Sequence, residues 1–445
     1  MRRWWLALLG LAVLIPGITS AQETLSLEQA MALAREQAHQ VKAAAARSAA
    51  AGDRVKQAKG FRLPSVSLEE SFISTNSPAE AFAFKLNQER FDFGQFMVTD
   101  PNDPSRLETG MTRLEIQLPL YTGGELSGRI RQAELAAEAA GKTSSWAERQ
   151  AALEAAEAYV MLAQAREYVA LLEKSRDTVK AHVELARNYE EQGMLVRSEV
   201  MRAEVELSRV EDLLTKAQGD AKTAAANLAF RMAVDLGSEF ALSPLEMPAP
   251  PAEALDAWLA TAEQRPDLES ARAMLAAGEL EPEVLRAAYL PKVGLVARGD
   301  LFDDRPFGTH GDSTTFIAAA RWNLWQGGAH RAAAAAAKWE AEAGREDVQR
   351  FTEGVRLEVT QAYQETLTAQ ARHETAAEAL QAAHEAERIT EERFRSGVVK
   401  MIDLIDATTA RREAETRELV ARADAVASTL RLAVKAGREP ESVIR

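Results

Sequence analysis

The chain has 445 residues, no cysteine and a formal net charge of −14 at pH 7. Without cysteine there is no disulfide, no thiolate metal site and no lipid-bearing N-terminal cysteine. The acidic balance argues against nucleic acid as a partner, because nucleic-acid backbones are themselves negative.

The first residues have the pattern of a secretory signal. Two arginines at 2–3 precede an apolar run over 4–15, and the small residues TSA at 19–21 resemble a cleavage site. We predict a signal peptide over residues 1–21. An uncleaved membrane anchor is the alternative, although the apolar run is short for a span, and no later stretch reaches the roughly 18 apolar residues of a membrane helix.

Three helices are predicted in the first half of the chain, over residues 26–61, 125–190 and 197–231. These segments are rich in Ala, Glu, Arg and Leu, which are strong helix formers. A helix of about 66 residues spans roughly 100 Å at 1.5 Å per residue. The two shorter helices placed end to end span about the same length, so we expect a rod with coiled-coil packing.

Two strands are predicted between the first and second helices, over about 65–73 and 112–121. In the second strand the apolar and polar side chains alternate: Leu114, Ile116, Leu118 and Leu120 share one face, and Arg113, Glu115 and Gln117 share the other. The intervening segment, 74–110, is rich in Phe and also contains proline. We predict an external loop there, because long insertions belong at loop tips.

A second copy of this plan follows. Gly328 and Tyr363 stand 204 positions after Gly124 and Tyr159, and the glycines of the two helix–helix turns share that offset. A common offset at three landmarks indicates a tandem duplication. The predicted elements of the second copy are helices over 254–289, 330–393 and 400–434 and strands over about 292–302 and 313–325.

The duplication sets the domain organisation. We predict a first structural repeat over 22–232, an inter-repeat linker over 233–253, a second structural repeat over 254–434 and a C-terminal tail over 435–445. Each repeat has the order helix, strand, strand, long helix, helix.

Each repeat also has a glycine pair between its second strand and its long helix, in "YTGG" and "WQGG". The four glycines are Gly123, Gly124, Gly327 and Gly328. Glycine allows a sharp turn with positive φ. A phosphate-binding loop would need Lys and Ser or Thr after the glycines, and neither copy has them.

The strand pattern favours an outer-membrane barrel. Segments of about ten residues with alternating faces are typical of barrel strands, and four strands cannot close a barrel, so the chain would have to pool strands with other copies of itself. Tyr121, Trp322 and Trp325 lie at strand ends, which suits an interfacial aromatic belt. A soluble sheet half-buried under the helices is the alternative.

The segment "RFRSGVVKMIDLIDATTARREAE" over 393–415 closely resembles a helix-turn-helix tip of the TolC-like outer membrane factor family. The resemblance implies a mainly α fold with membrane β: a homotrimer with a 12-strand barrel in the outer-membrane lipid and a long α-helical periplasmic tunnel. The linker and the tail would form an equatorial belt. The tips would meet a periplasmic adaptor protein bound to an inner-membrane transporter.

The resemblance also gives the tips a gating role. Asp403 and Asp406, spaced i, i+3, would ring the pore, and Phe394 would help to hold it shut. Glu199 matches Asp403 in the first copy, but Arg202 matches Asp406, so the two tips should differ in gating. The alternative for both aspartates is a favourable place in the first helical turn.

The turn residues of the tips are candidates for adaptor docking, or alternatively only cap the turns. They are Gly193, Leu195, Val196 and Ser198 in the first copy and Gly397, Val398 and Val399 in the second.

No motif points to an enzyme, a cofactor or a metal. The six histidines have no metal-ligand spacing, and no catalytic nucleophile signature is present. We therefore predict a passive outer-membrane duct of an efflux or type I secretion system, whose substrate is a drug, a metal ion or a polypeptide. The alternatives are a periplasmic coiled-coil scaffold or adaptor that never enters the membrane and, favoured only by the glycine turns, a periplasmic enzyme.

Overall fold

A computed structural model describes residues 24–443, so the predicted signal peptide lies outside the described residues. The first repeat folds as α1 (Leu27–Gln37), α2 (His39–Gly60), β1 (Ser65–Thr75), α3 (Pro78–Asn87), α4 (Phe93–Phe96), β2 (Leu107–Tyr121), α5 (Glu125–Glu191) and α6 (Arg197–Arg231). The second folds as α7 (Leu255–Ala262), α8 (Pro266–Glu279), α9 (Glu281–Arg286), β3 (Lys292–Asp303), β4 (Gly311–Arg321), α10 (Ala329–Arg395) and α11 (Met401–Lys435).

The two repeats match in their long helices. Both α5 and α10 have 67 residues, and both α6 and α11 have 35. Helix α5 packs against α1 and α2 and then against α6, while α10 packs against α7, α8 and α9 and then against α11. The shorter helices therefore lie end to end beside the long ones, as the lengths predict.

The single helix predicted over 26–61 is wrong. The chain breaks at Ala38, whose ψ of 133° is extended, and two helices result. The helix predicted over 254–289 is also wrong, because Pro266 and Pro282 each start a new helix. Proline fits the first turn of a helix but removes a hydrogen bond from the interior.

The predicted loop over 74–110 is wrong in part, because it contains α3 and α4. The strand predicted over 313–325 begins two residues too late and ends four residues too late. β4 ends at Arg321, which pairs with Lys292, the first residue of β3. The residue before Lys292 is Pro291, which has no N–H to donate. The chain after Arg321 therefore finds no partner in β3 with which to continue the ladder.

The four strands form one antiparallel sheet in the order β1-β2-β3-β4. One face carries ion pairs between neighbouring strands: Arg113 Nε lies 2.7 Å from Asp300, and Arg298 lies 3.0 Å from Glu115. We call it the polar face. The opposite, apolar face leaves large side chains exposed, among them Val66, Leu68, Leu114, Ile116, Leu120, Leu295 and Phe316.

The middle of the rod has a core built largely of alanine and leucine around Tyr159, which is 1% exposed. The Tyr159 hydroxyl lies within hydrogen-bond distance of the carbonyls of Leu25 and Ser243, at 2.9 and 2.8 Å. Leu25 also pairs with Leu242 in a short parallel bridge. The start of α1 and the segment after α6 therefore pack together against the centre of α5.

Candidate functional site

The two helix–helix turns have the same backbone structure. In the first, the Met194 N–H donates to the Tyr189 carbonyl at 2.8 Å and the Gly193 N–H to the Glu190 carbonyl at 2.9 Å. In the second, the Val398 N–H donates to the Arg393 carbonyl at 2.9 Å and the Gly397 N–H to the Phe394 carbonyl at 2.9 Å. This pair of bonds is the Schellman motif, which satisfies the last carbonyls of a helix.

The motif requires a left-handed residue at the glycine position. Gly193 has a φ of 71° and Gly397 a φ of 75°. Nothing lies within 4 Å of a Cβ built at either glycine. The backbone conformation, and not a lack of space, is therefore what favours glycine at the tips.

The two turns share one hydrophobic cluster, which we call the tip cluster. All four long helices contribute to it, through Val183, Ala186, Val200, Ala203, Phe394, Met401, Leu404 and Ile405. Both hairpin ends are therefore packed as one unit, so movement of one turn disturbs the packing of the other.

Phe394 lies at the centre of this contact. It is 3% exposed and stacks on Tyr189 of the other hairpin, with ring centroids 5.8 Å apart. Tyr189 was not among the predicted site residues, because the repeat offset aligns Phe394 with Glu190. An aromatic residue one position out of register was the available signal.

Asp403 and Asp406 are both exposed near the start of α11. The Asp403 carboxylate accepts a hydrogen bond from the Lys400 N–H at 2.9 Å and so caps its own helix. Glu199 differs from Asp403: it is half-buried, and its Oε2 has no hydrogen-bond partner. The two matching carboxylates thus have different surroundings in the two tips.

The candidate docking residues divide into two groups. Leu195 and Val399 are half-buried and pack against the tip cluster. Val196 and Val398 are each 65% exposed, and Ser198 is exposed as well. Met194, 61% exposed, belongs with the exposed group but was missed, because methionine gave no pattern in the sequence.

Ion pairs hold the helices together further up the rod. Arg411 in α11 lies 2.5 Å from Glu387 of α10 and 2.6 Å from Glu415. The next residue, Arg412, lies 2.8 Å from Glu206 of α6. Both arginines are at most 5% exposed. Adjacent residues of α11 therefore bind two different helices, and both arginine side chains are buried.

His182 of α5 lies close to this ion-pair cluster and is 7% exposed. Burial lowers the pKa of the His182 imidazole below its ordinary value of 6.5, and the nearby Glu391 and Glu387 oppose the shift only in part. The ring is therefore held in its neutral form at neutral pH.

The glycine pairs after β2 and β4 lie at the other end of the long helices. Gly123, Gly124, Gly327 and Gly328 have φ values of 68°, 89°, 59° and 81°. A Cβ at Gly123 would lie 2.7 Å from the carbonyl oxygen of Ala287. These turns join the sheet to α5 and α10.

Residues 24–443 contain neither a cluster of metal ligands nor a membrane-spanning helix. No group of three or more His, Asp or Glu side chains is arranged to hold a metal ion. No helix in the same range combines the length and the apolar character needed to cross a membrane.

Taken together, the fold is mainly helical with a small antiparallel sheet, and its long paired hairpins separate that sheet from a shared tip. The sequence model of the family described as "Outer membrane efflux protein" matches residues 30–233 and 260–438. These ranges cover most of the chain, and the protein belongs to that family. The resemblance to TolC-like factors is thereby confirmed. No curated protein matches the chain.

Solved structures show the same fold. The outer membrane protein VceC from Vibrio cholerae has a TM-score of 0.76 at 18% identity, over 93% of this chain and 96% of that chain. The CmeC outer membrane channel from Campylobacter jejuni has a TM-score of 0.76 at 16% identity, over 93% and 86%. The open state of the MtrE outer membrane channel from Neisseria gonorrhoeae has a TM-score of 0.75 at 17% identity, over 93% and 89%.

Proposed function

We propose that the chain is the exit duct of a tripartite efflux or type I secretion system, passively conducting substrates from an inner-membrane pump to the exterior. The sheet is the observation that carries this proposal. Its apolar face is exposed in the protomer, while its polar face carries paired charges. A sheet with these two faces suits a wall between lipid and water.

The strand edges support a trimer. Within the described residues, β1 and β4 each pair with one neighbour only. Hydrocarbon cannot satisfy the free N–H and C=O groups of such edges, and known single-chain barrels begin at about eight strands. Three copies of the sheet would supply twelve strands and leave no edge, with the aromatic residues Tyr121, Trp322 and Trp325 exposed at the lipid boundary.

The long helices of the three copies would then form a periplasmic tunnel. Residues 233–253 and the C-terminal tail would form a belt around its middle. The tips would point towards the inner membrane, where the exposed Val196, Ser198 and Val398 would meet a periplasmic adaptor that is bound to the transporter. Gly193, Leu195, Gly397 and Val399 would support this surface by fixing the turns.

The gate would lie at the same end. In a trimer, Asp403 and Asp406 would place six carboxylates around the axis, and such a ring prefers cations. Phe394 would hold the hairpins of each copy together, and Glu199 would contribute a weaker, half-buried charge. Opening would loosen the tip helices when an adaptor binds.

Planar-bilayer recording of the purified mature protein tests the duct. We expect unitary current steps from a duct, together with a heat-modifiable trimer on gels. A periplasmic scaffold would give no steps at any protein concentration, and that result would overturn the proposal.

A further inference from the structure

The insertion in the first repeat is folded. We call residues 76–106 the cap. Within it, Phe82, Phe91 and Phe96 pack against one another, with ring centroids 5.4–5.5 Å apart. The second repeat connects its two strands by residues 304–310 alone. The cap is therefore an added structural unit at one end of the sheet.

Gln88 fastens the cap to the sheet. Its side chain is 1% exposed, and its Nε2 lies within hydrogen-bond distance of three acceptors: the Glu108 carbonyl at 3.0 Å, Thr109 Oγ1 at 3.0 Å and the Asp303 carbonyl at 3.1 Å. Arg90 adds ion pairs with Asp303 at 2.9 Å and Asp304 at 2.6 Å. The cap thus binds the ends of β2 and β3, which belong to different hairpins.

The pairing register shows which face the cap covers. Gly311 pairs with Phe302, which pairs with Met111. Arg113 lies two residues after Met111 in β2, and Asp300 lies two residues before Phe302 in β3. Arg113 pairs with Asp300, and both belong to the polar face. Side chains two apart in a strand share a face. Gly311 and Phe302 therefore belong to the polar face.

The cap lies directly against that face. A Cβ built at Gly311 would point along the polar face and lie 2.0 Å from the carbonyl oxygen of Asn87, the last residue of α3. Phe302 and Thr109, also on this face, are 4% and 0% exposed. On the apolar face the corresponding close contact, at Gly110, is made by the Arg305 carbonyl and not by the cap.

We propose that the cap narrows the external mouth of the duct and restricts its cargo to small solutes, excluding folded polypeptides. This proposal rests on the proposed function, in which the polar face lines the water-filled bore. A cap on the polar face then projects into the bore, and three copies would do so from three sides. The buried Gln88 bonds make the constriction a fixed part of the wall and not a mobile lid.

Cysteine labelling tests the cap directly, because the chain contains no cysteine of its own. Thr315→Cys places a thiol on the polar face, four residues from Gly311, or about 13 Å at roughly 3.3 Å per residue. Phe316→Cys places a thiol on the apolar face next to it. Intact cells are treated from outside with a small charged maleimide or with a maleimide that carries a long polyethylene glycol chain.

With the cap present, we expect the small reagent to label Thr315→Cys and the polymer reagent to fail. Replacing residues 76–106 by a short Gly-Ser turn should restore labelling by the polymer. Gly311→Ala should do the same by displacing Asn87. Gly299→Ala is the matched control, because Gly299 lies in the same sheet and nothing lies within 4 Å of a Cβ built there. This variant should not restore labelling by the polymer. Heat-modifiable migration on gels checks that each variant folds.

Two results would overturn the proposal in distinguishable ways. Equal labelling of Thr315→Cys by both reagents with the cap intact would show that the cap does not narrow the mouth, and would leave the duct standing. Failure of the small reagent to reach Thr315→Cys in every form, or equal labelling of Phe316→Cys, would contradict the duct itself.

Discussion

At the scale of single residues, the tip glycines have a conformation that other residues adopt only at a cost. In Gly397→Ala the added Cβ contacts nothing within 4 Å, but the residue has to adopt a positive φ. We therefore expect the free energy of unfolding to fall by roughly 1–2 kcal/mol. Gly219→Ala is the control, because Gly219 lies inside α6 with free space around it. That change should stabilise by roughly 0.5–1 kcal/mol. Denaturant melts of the helical circular dichroism signal measure both, and equal effects would contradict the turn assignment.

The proposed gate depends on the charge of two aspartates. Because Asp403 also caps α11, the test uses Asp403→Asn with Asp406→Asn, which removes charge but keeps a side-chain oxygen for the Lys400 N–H. Block of the bilayer conductance by Mg²⁺ should weaken. Asp212→Asn with Asp220→Asn, two exposed carboxylates of α6, should leave the block unchanged. Unaltered block in the tip variant would remove both aspartates from the pore.

His182 predicts a pH dependence of stability. Since its pKa is lowered in the folded state, the unfolded chain binds more protons than the folded chain just below pH 6.5. The free energy of unfolding should therefore fall as the pH drops through 6.5. At higher pH His182 is neutral in both states and does not make stability depend on pH. His182→Gln should reduce the slope of melting temperature against pH. His39→Gln, at an exposed histidine, should leave that slope unchanged. A slope unchanged in His182→Gln would assign the dependence elsewhere.

Several of these residue-level features could be read from the sequence. Gly193 and Gly397 interrupt long helical patterns, and a left-handed cap follows from glycine chemistry. The partner of Phe394 could not be found this way, because the stacking ring of Tyr189 lies on another helix and is out of register in the repeat. The charge pairs of Arg411 and Arg412 were also missed, since carboxylates are so frequent on these helices that no pair stands out.

At the scale of elements, the buried pair of Arg412 and Glu206 joins α11 to α6 across the two hairpins. Arg412→Met leaves the buried Glu206 carboxylate with only the exposed Arg209, 3.9 Å away, and the Thr409 hydroxyl at 3.4 Å. We therefore expect a loss near the lower end of the about 3–5 kcal/mol that breaking a buried pair costs. Adding Glu206→Leu should recover most of this loss. Arg417→Met on the same helix breaks only an exposed pair with Glu413 and should cost less than about 1 kcal/mol. Thermal melts in detergent compare the stabilities of the variants. Similar losses of stability in Arg412→Met and Arg417→Met would contradict a stabilising role for the buried ion pair.

The two faces of β4 give a test of the membrane assignment. Phe316 and Ile317 are adjacent, but Phe316 belongs to the apolar face and Ile317 to the polar face. Phe316→Arg should destabilise the barrel by about 2–4 kcal/mol if it faces the middle of the bilayer, and Ile317→Arg should be tolerated in the bore. The amount of heat-modifiable trimer in outer-membrane fractions measures both. Equal loss in the two variants would contradict a lipid-facing apolar side.

The long elements were predictable because their signal is long. Many turns of Ala, Glu, Arg and Leu define α5 and α10, and alternation over a whole strand defines β2. Short breaks were less visible. Ala38 is a good helix former by itself and gives no sign that the chain turns there. The cap helices were missed since their core is a local cluster of three Phe rings, and such clustering has no fixed period in a sequence.

At the scale of the whole molecule, a tandem duplication, which the sequence predicts, would explain why one chain has two hairpins of matching helix lengths that end in one tip cluster. The offset of the repeats could be read from the sequence, and so could the rod-like shape. The strand pattern also predicts that copies pool their strands, but it does not give the number of copies, because four strands show only that one chain cannot close a barrel. The trimer is therefore a proposal, supported by the free edges of β1 and β4 and by what the resemblance to the family implies.

The proposed duct requires that the four strands of one chain share a closed wall with the strands of sister copies. The molar mass of the purified mature protein in detergent, measured by light scattering with the detergent contribution subtracted, tests it most directly. We predict a mass of three chains, and aggregation when the detergent is removed. A single chain that stays soluble and folded without detergent would contradict a shared barrel wall.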